Sequence, residues 1–170
     1  MASKTSVTAE EYLRMSFDGP DADFIDGEVV KRNVGENQHS EVQAQLVAIF
    51  LELRKNHPLH IRTELRMKVS ATRFRVADVA VFLGPRPVEA VPSTAPLLVA
   101  EIVSPDDRYT EITAKLNDYV VWGVRHVWLI DPWLRKMHAY DATGLHEVPA
   151  LRIPELELEI TPGTIFGVGE

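Results

Sequence analysis

A single carboxylate interrupts an otherwise apolar run, and this limits how the chain can fold. From Leu97 to Ser104 the sequence Leu-Leu-Val-Ala-Glu-Ile-Val-Ser is apolar apart from Glu101 and the closing serine. Such a run predicts a buried central strand. An ionised Glu in that setting has to be protonated, paired with a cation or bound to a metal, because an isolated buried charge is too costly to keep. A second run, Val76-Ala77-Asp78-Val79-Ala80-Val81-Phe82, has the same form with one Asp. Side chains alternate along a strand, so Val99, Glu101 and Val103 share one face, and Val76, Asp78, Ala80 and Phe82 share another. If the two strands are neighbours with those faces aligned, the carboxylates converge. Two converging carboxylates repel unless a cation lies between them, which is how hard oxygen ligands build a divalent metal site. The alternative is structural, with each acid at a sheet edge or neutralised by a nearby Arg73 or Arg75.

The chain has 170 residues, of which 45% are hydrophobic. This is the size of one domain, and residues 1–170 are expected to share one core. It has no cysteine, which excludes disulfides, thiolate zinc sites and a cysteine nucleophile and fits a reducing compartment. The start, Met-Ala-Ser-Lys-Thr, has no apolar signal core, and no apolar run approaches the roughly 18 residues of a membrane span. A cytoplasmic protein without membrane contact is expected. The 18 basic residues against 25 acidic ones give a net charge of -7, which disfavours indiscriminate nucleic-acid binding. A local basic region survives this balance, because Arg62, Arg66, Lys68, Arg73 and Arg75 surround the single acid Glu64.

Capping and turn signals order the remaining elements. Thr8 and Glu11 form a capping box that predicts a short helix to Met15. Asp26-Gly27 predicts a hairpin between Phe24-Ile25 and Val29-Val30. Val42, Leu46, Ile49, Phe50 and Leu53 mark one stripe of a helix from about residue 40 to 56, which His57-Pro58 ends. Strands are expected over about 61–69, 74–83, 97–103 and 126–130. Ser104 as N-cap, Pro105 at the first helical position and Asp107 two further on predict a helix directly after the Glu101 strand, running to Trp122 with Gly123 as its C-terminal cap. Its apolar stripe is Ile112, Leu116, Tyr119 and Val120. Lys115 lies beside that stripe, where it either reaches inward over the sheet or pairs with Glu111 at the surface. Lys136–Tyr140 and Leu145–Val148 predict a hairpin. Leu156, Leu158 and Ile160, alternating with Glu155, Glu157 and Glu159, predict a half-exposed strand. His57 and His60 are spaced like metal ligands but lack a third and read as loop, and the three tryptophans read as core and interface residues. The order predicts an α/β (α+β) fold with a mixed central sheet flanked by helices.

A strand with Asp, a strand with Glu and a helix with Lys, in that order, resemble the PD-(D/E)xK nuclease superfamily. More closely, the chain resembles the Uma-two family of restriction-endonuclease-like proteins. The similarity rests on Phe24-Ile25-Asp26-Gly27-Glu28, His39, Arg75-Val76-Ala77-Asp78-Val79, Glu101-Ile-Val-Ser104-Pro105, Lys115-Leu-Asn-Asp-Tyr119, Gly123-Val124 and Trp128-Leu-Ile-Asp131-Pro132. The resemblance implies a restriction-endonuclease-like fold and a Mg²⁺- or Mn²⁺-dependent endonuclease acting on DNA and assembling as a homodimer. It makes Asp78 and Glu101 the metal ligands and Lys115 the group that assists the attacking water, with His39 and Asp23 as possible supporting residues. Three positions depart from the pattern. Ala77 stands in place of Pro, Val103 occupies the usual lysine position so that Lys115 replaces it from the next helix, and Asp23 stands where relatives tend to carry Glu. Two other functions stay open at this point. One is a nucleic-acid-binding or regulatory protein that keeps the fold with little cleavage activity; the other is a structural homo-oligomer whose acids are neutralised by arginine.

Overall fold

The computed structural model describes residues 6–167; the Met1–Thr5 segment, read above as lacking a signal core, lies outside them. Helix α1 (Ala9–Arg14) has the expected capping box at Thr8 and Glu11. The hairpin of β1 (Asp23–Ile25) and β2 (Glu28–Val30) turns at Asp26 and Gly27, both with positive φ, as a primed two-residue turn requires. Helix α2 (Asn37–Leu53) is followed by β3 (Leu59–Lys68), β4 (Arg73–Leu83) and β5 (Leu98–Ile102). Helix α3 (Tyr109–Trp122) leads to β6 (His126–Asp131), β7 (Lys136–Asp141) and β8 (Gly144–Glu147). The chain ends with β9 (Leu151–Ile153), β10 (Leu158–Ile160) and α4 (Pro162–Phe166).

The main sheet runs β2-β1-β4-β5-β6-β7-β8, with β3 paired to β4, while β9 and β10 form a separate antiparallel pair. Strands β5 and β6 are parallel and joined through α3, and the other pairings are antiparallel. This is the mixed α+β sheet flanked by helices that the pattern predicts. Period-two alternation divides the core. Leu98, Ala100, Val79 and Val81 pack with Val42, Leu46 and Phe50 of α2, whereas Val99, Ala80 and Phe82 pack with Leu116 and Tyr119 of α3. Each helix therefore buries its apolar stripe on its own face of the sheet. No helix among the described residues is long and apolar enough to cross a membrane.

Three expectations about elements need correction. The loop expected over His57–His60 stops at Pro58, because Leu59 and His60 already pair with Leu83 and Phe82 as the start of β3. Helix α3 begins at Tyr109 and not directly after Ser104. The Asp107 carboxylate accepts the Ser104 N–H at 2.8 Å, and the Asp107 N–H donates to the Ser104 carbonyl at 3.0 Å. Those two bonds close a separate turn, which uses up the capping groups before the helix starts. The tail strand is also shorter than its alternation predicts. Pro154 opens a 3-10 turn over Pro154–Leu156 and Glu157 takes a left-handed φ of 51°, so pairing begins only at Leu158.

The arginines beside the Asp78 strand have partners elsewhere. Buried Arg75 donates to Asp118 Oδ2 and, at 3.0 Å, to Asp23 Oδ2, while Arg73 joins Asp26 and Asp118. This network ties β1, β4 and α3 together. Asp118→Ala removes the nearer partner of a buried guanidinium and is expected to cost about 3 kcal/mol or more in urea denaturation. Asp26→Ala, which removes exposed bonds from Thr72 and from the half-exposed Arg73 while Arg73 keeps Asp118, should cost clearly less; equal losses would show that the network does not carry that energy.

Candidate active site

Strands β4 and β5 separate at the two acids. Their last pair is Val79 opposite Ala100, so one position further Asp78 and Glu101 face each other. Strand β1 rejoins β4 only at Arg73 and Phe74. In between, side chains satisfy backbone groups that a sheet ladder would otherwise satisfy. The Ile102 N–H donates to Asp78 Oδ2 at 2.8 Å, and the Val76 N–H to Asp23 Oδ1 at 2.8 Å. The Val76 carbonyl accepts from Lys115 Nζ at 2.8 Å. On the other side of β4 the register places Glu64 opposite Asp78, and Glu64 has a φ of 49°. A left-handed backbone at a non-glycine residue is strained and is commonly found at functional sites. The strands also change faces here. Ile61 and Val79 pack on the α2 side, while Leu65 and Ala77 pack on the α3 side.

Every carboxylate oxygen at the fork has a donor. Asp78 Oδ1 accepts from Arg32 Nη2 at 2.6 Å, and His39 Nε2 lies 3.3 Å from Oδ2. Gln43 Nε2 donates to the Asp78 carbonyl at 2.9 Å and to Glu64 Oε1 at 3.1 Å. Glu101 Oε2 accepts from Lys115 Nζ at 2.8 Å, and Oε1 accepts from the Tyr119 hydroxyl at 2.7 Å. The two acids respond differently to this setting. Burial raises the Asp78 pKa, but the bond from His39 and the charges of Lys115 and Arg32 outweigh it and hold the carboxyl at about 2. For Glu101 burial prevails, and with the nearby Asp78 charge it lifts the pKa to about 7 against the pull of Lys115 and Arg32. Burial lowers the His39 pKa, and the Asp78 carboxylate more than reverses that, so the net shift is upward.

Asp78, Glu101, Lys115 and His39 therefore line one cleft of about 950 Å³. Lys115 pairs with Glu101 and not with Glu111, which lies 3.8 Å from Arg108. Asp23 borders the same cleft but is engaged with Arg75 and the Val76 N–H, a scaffold position. Arg73 and Arg75 are not the partners of the paired acids; Arg32 fills that place at Asp78. Sequence reasoning missed Arg32, Glu64 and Gln43 and took Tyr119 only as a core residue. Glu64 gave a usable signal, since it is the lone acid in a basic segment. Arg32 gave none, because its role depends on where the segment after β2 crosses the sheet.

Two acids and a lysine thus meet where two strands of a helix-flanked mixed sheet part. The chain belongs to the Uma2 family, described as "Putative restriction endonuclease", which matches residues 9–166. Among solved structures it resembles a "putative nuclease belonging to DUF820" from Anabaena variabilis at 23% identity, with a TM-score of 0.82, covering 94% of this chain and 97% of that one. That likeness establishes the fold. No curated protein matches the chain.

The residues fit a Mg²⁺-type ion by donor chemistry. Such an ion is commonly held by one or two carboxylates and completes its shell with water and substrate phosphate. Among the described residues no group of three or more His, Cys, Asp or Glu is arranged to hold a metal ion. The Glu101 pKa also makes a prediction for the metal-free protein. Its folded value of about 7 lies above its ordinary 4.5, so the stability contributed by the bound proton is present below pH 4.5 and is lost as pH rises to 7. Glu101→Gln keeps a neutral group at every pH. Its stability relative to wild type should therefore rise between pH 4.5 and 7, by up to about 3 kcal/mol. Denaturant melts at several pH values check this, and a difference independent of pH would mean that Glu101 is ionised throughout.

Proposed function

We propose that this protein is a metal-dependent endonuclease that hydrolyses DNA phosphodiester bonds, with Asp78 and Glu101 holding Mg²⁺ or Mn²⁺ and Lys115 positioning the attacking water. The observation that carries this reading is the Lys115 ammonium. It reaches from α3 to the point where β4 and β5 part and joins Glu101 Oε2 to the Val76 carbonyl. Two of its three protons are committed there, which leaves the third for a water or a phosphate oxygen in the cleft that Lys115 lines. A cation bound by the two acids supplies positive charge to the phosphate and lowers the pKa of a nearby water.

The chain's own residues set the geometry around that chemistry. Tyr119 holds the Glu101 oxygen that Lys115 does not touch, so this carboxylate cannot rotate. His39 and the Ile102 N–H do the same for Asp78 Oδ2. Lys115 offsets the negative charge that builds as water attacks phosphorus and the sugar oxygen departs, a form of stabilisation that a preorganised and partly buried cation provides well. A second reading, a nucleic-acid-binding or regulatory protein that keeps this fold with little cleavage activity, draws on the cations already paired with both acids.

Cleavage and metal binding separate the two readings. Mn²⁺ should raise the melting temperature of wild type, and Asp78→Asn should abolish that rise. Lys115→Ala should keep the Mn²⁺ effect but lose about 10²–10³ in the rate of DNA cleavage. Lys115→Arg should not fully restore the rate, because a planar fork replaces a compact ammonium poorly. Mn²⁺ stabilisation of a wild-type protein that cleaves neither duplex nor branched DNA would favour the second reading.

A further inference from the structure

The residues that follow β2 close over the acids. Arg32 extends its guanidinium into the fork with only 12% of its side chain exposed. Nη2 lies 2.6 Å from Asp78 Oδ1, and Nη1 lies 2.5 Å from Glu64 Oε2. The next residue fixes the segment to the opposite wall, because Asn33 Nδ2 donates to Asp107 Oδ1 at 2.7 Å in the turn before α3. Gly35 then passes so close to the buried His39 ring that a Cβ there would come within 2.7 Å of Nδ1. Three successive contacts thus hold residues 32–35 as a strap across Asp78, and its only charged tip rests on an oxygen that a metal would use.

A guanidinium fork binds carboxylate and phosphate with the same bidentate geometry. Phosphate is also the group a nuclease has to bring to this point. We propose that Arg32 has two alternative partners: it neutralises Asp78 and Glu64 in the free protein, and it moves to a phosphate of the DNA backbone when metal and nucleic acid occupy the cleft. The inference rests on the nuclease reading and deepens it. Metal and Arg32 compete for Asp78, so the metal binds weakly while the strap is in place. Phosphate draws Arg32 away, so DNA strengthens metal binding, and by linkage metal strengthens DNA binding by the same factor. Glu64, held in a left-handed conformation opposite Asp78, receives the second arm of the fork and keeps the resting position specific.

The test is calorimetric titration of Mn²⁺ into wild type, Arg32→Gln and Asp78→Asn, each alone and with a phosphorothioate-backbone duplex as a slowly cleaved probe. Arg32→Gln should bind Mn²⁺ roughly tenfold or more tightly than wild type without DNA, the scale of a hydrogen bond to a charged group. The duplex should raise the Mn²⁺ affinity of wild type by a clearly larger factor than that of Arg32→Gln, which keeps only the gain from phosphate binding the ion directly; equal factors would overturn the proposal. If Arg32→Gln binds no tighter than wild type while Asp78→Asn still abolishes binding, the role of Arg32 is overturned and the metal site stands. If neither wild type nor Arg32→Gln binds Mn²⁺, the nuclease reading falls and this inference falls with it. Should Arg32→Gln fail to fold, Asn33→Ala loosens the strap by removing its bond to Asp107 and touches none of Asp78, Glu101 and Glu64. It should shift Mn²⁺ affinity in the same direction by a smaller factor, and no shift would overturn the proposal.

Discussion

Two carboxylates facing each other where a sheet opens is the constraint on which the rest of this structure depends. Asp78 and Glu101 are 3% and 7% exposed, and neither has enough water around it to disperse its charge. Each therefore needs a cation, and the fold supplies one from each flank. Arg32 arrives from the segment after β2, and Lys115 arrives from α3. The separation of β4 and β5 makes room for both, and its unpaired backbone groups give Lys115 and Asp78 further partners. A continuous ladder at this point would leave no opening for a substrate. An opening without these side chains would leave buried polar groups unsatisfied.

The molecule keeps its two sets of buried ion pairs for different purposes. Arg75, Arg73, Asp23, Asp26 and Asp118 satisfy one another and fasten α1's neighbouring hairpin and α3 to β4. Asp23 and Arg75 also line the cleft, but each is committed to partners within this network or to the Val76 N–H. The set at the fork is different. Its carboxylates border a cleft of about 950 Å³, and its cations sit on side chains long enough to change partners. The split in acidity follows from the same arrangement. Asp78, which takes bonds from several donors, stays ionised, while burial beside that charge holds Glu101 near neutrality.

Much of this could be read from the sequence because burial leaves a strong pattern. An acid within a β-branched run is conspicuous, so Asp78 and Glu101 stand out, and the capping box at Thr8, the Asp26-Gly27 turn and the Gly123 cap fixed element ends correctly. The inward reach of Lys115 was one of two placements that helix geometry allowed, and only packing decided between them. Local signals misled where two turns competed. Ser104 and Asp107 bond each other and delay α3, and Pro154 with Glu157 interrupts an alternation that otherwise predicts a longer strand. Arg32 and Gln43 could not be found, because their relation to Asp78 spans 46 and 35 positions and no periodic pattern connects them.

The central claim is that the facing acids form a cation site now held by protein cations. Anomalous diffraction from crystals soaked in Mn²⁺ tests it most directly. The account predicts a Mn²⁺ peak within coordination distance of both Asp78 and Glu101, with the Arg32 guanidinium displaced from Asp78 Oδ1. Saturating Mn²⁺ that leaves the fork without a peak and Arg32 still bonded to Asp78 would contradict it, and would leave the two acids as a structural ion-pair network.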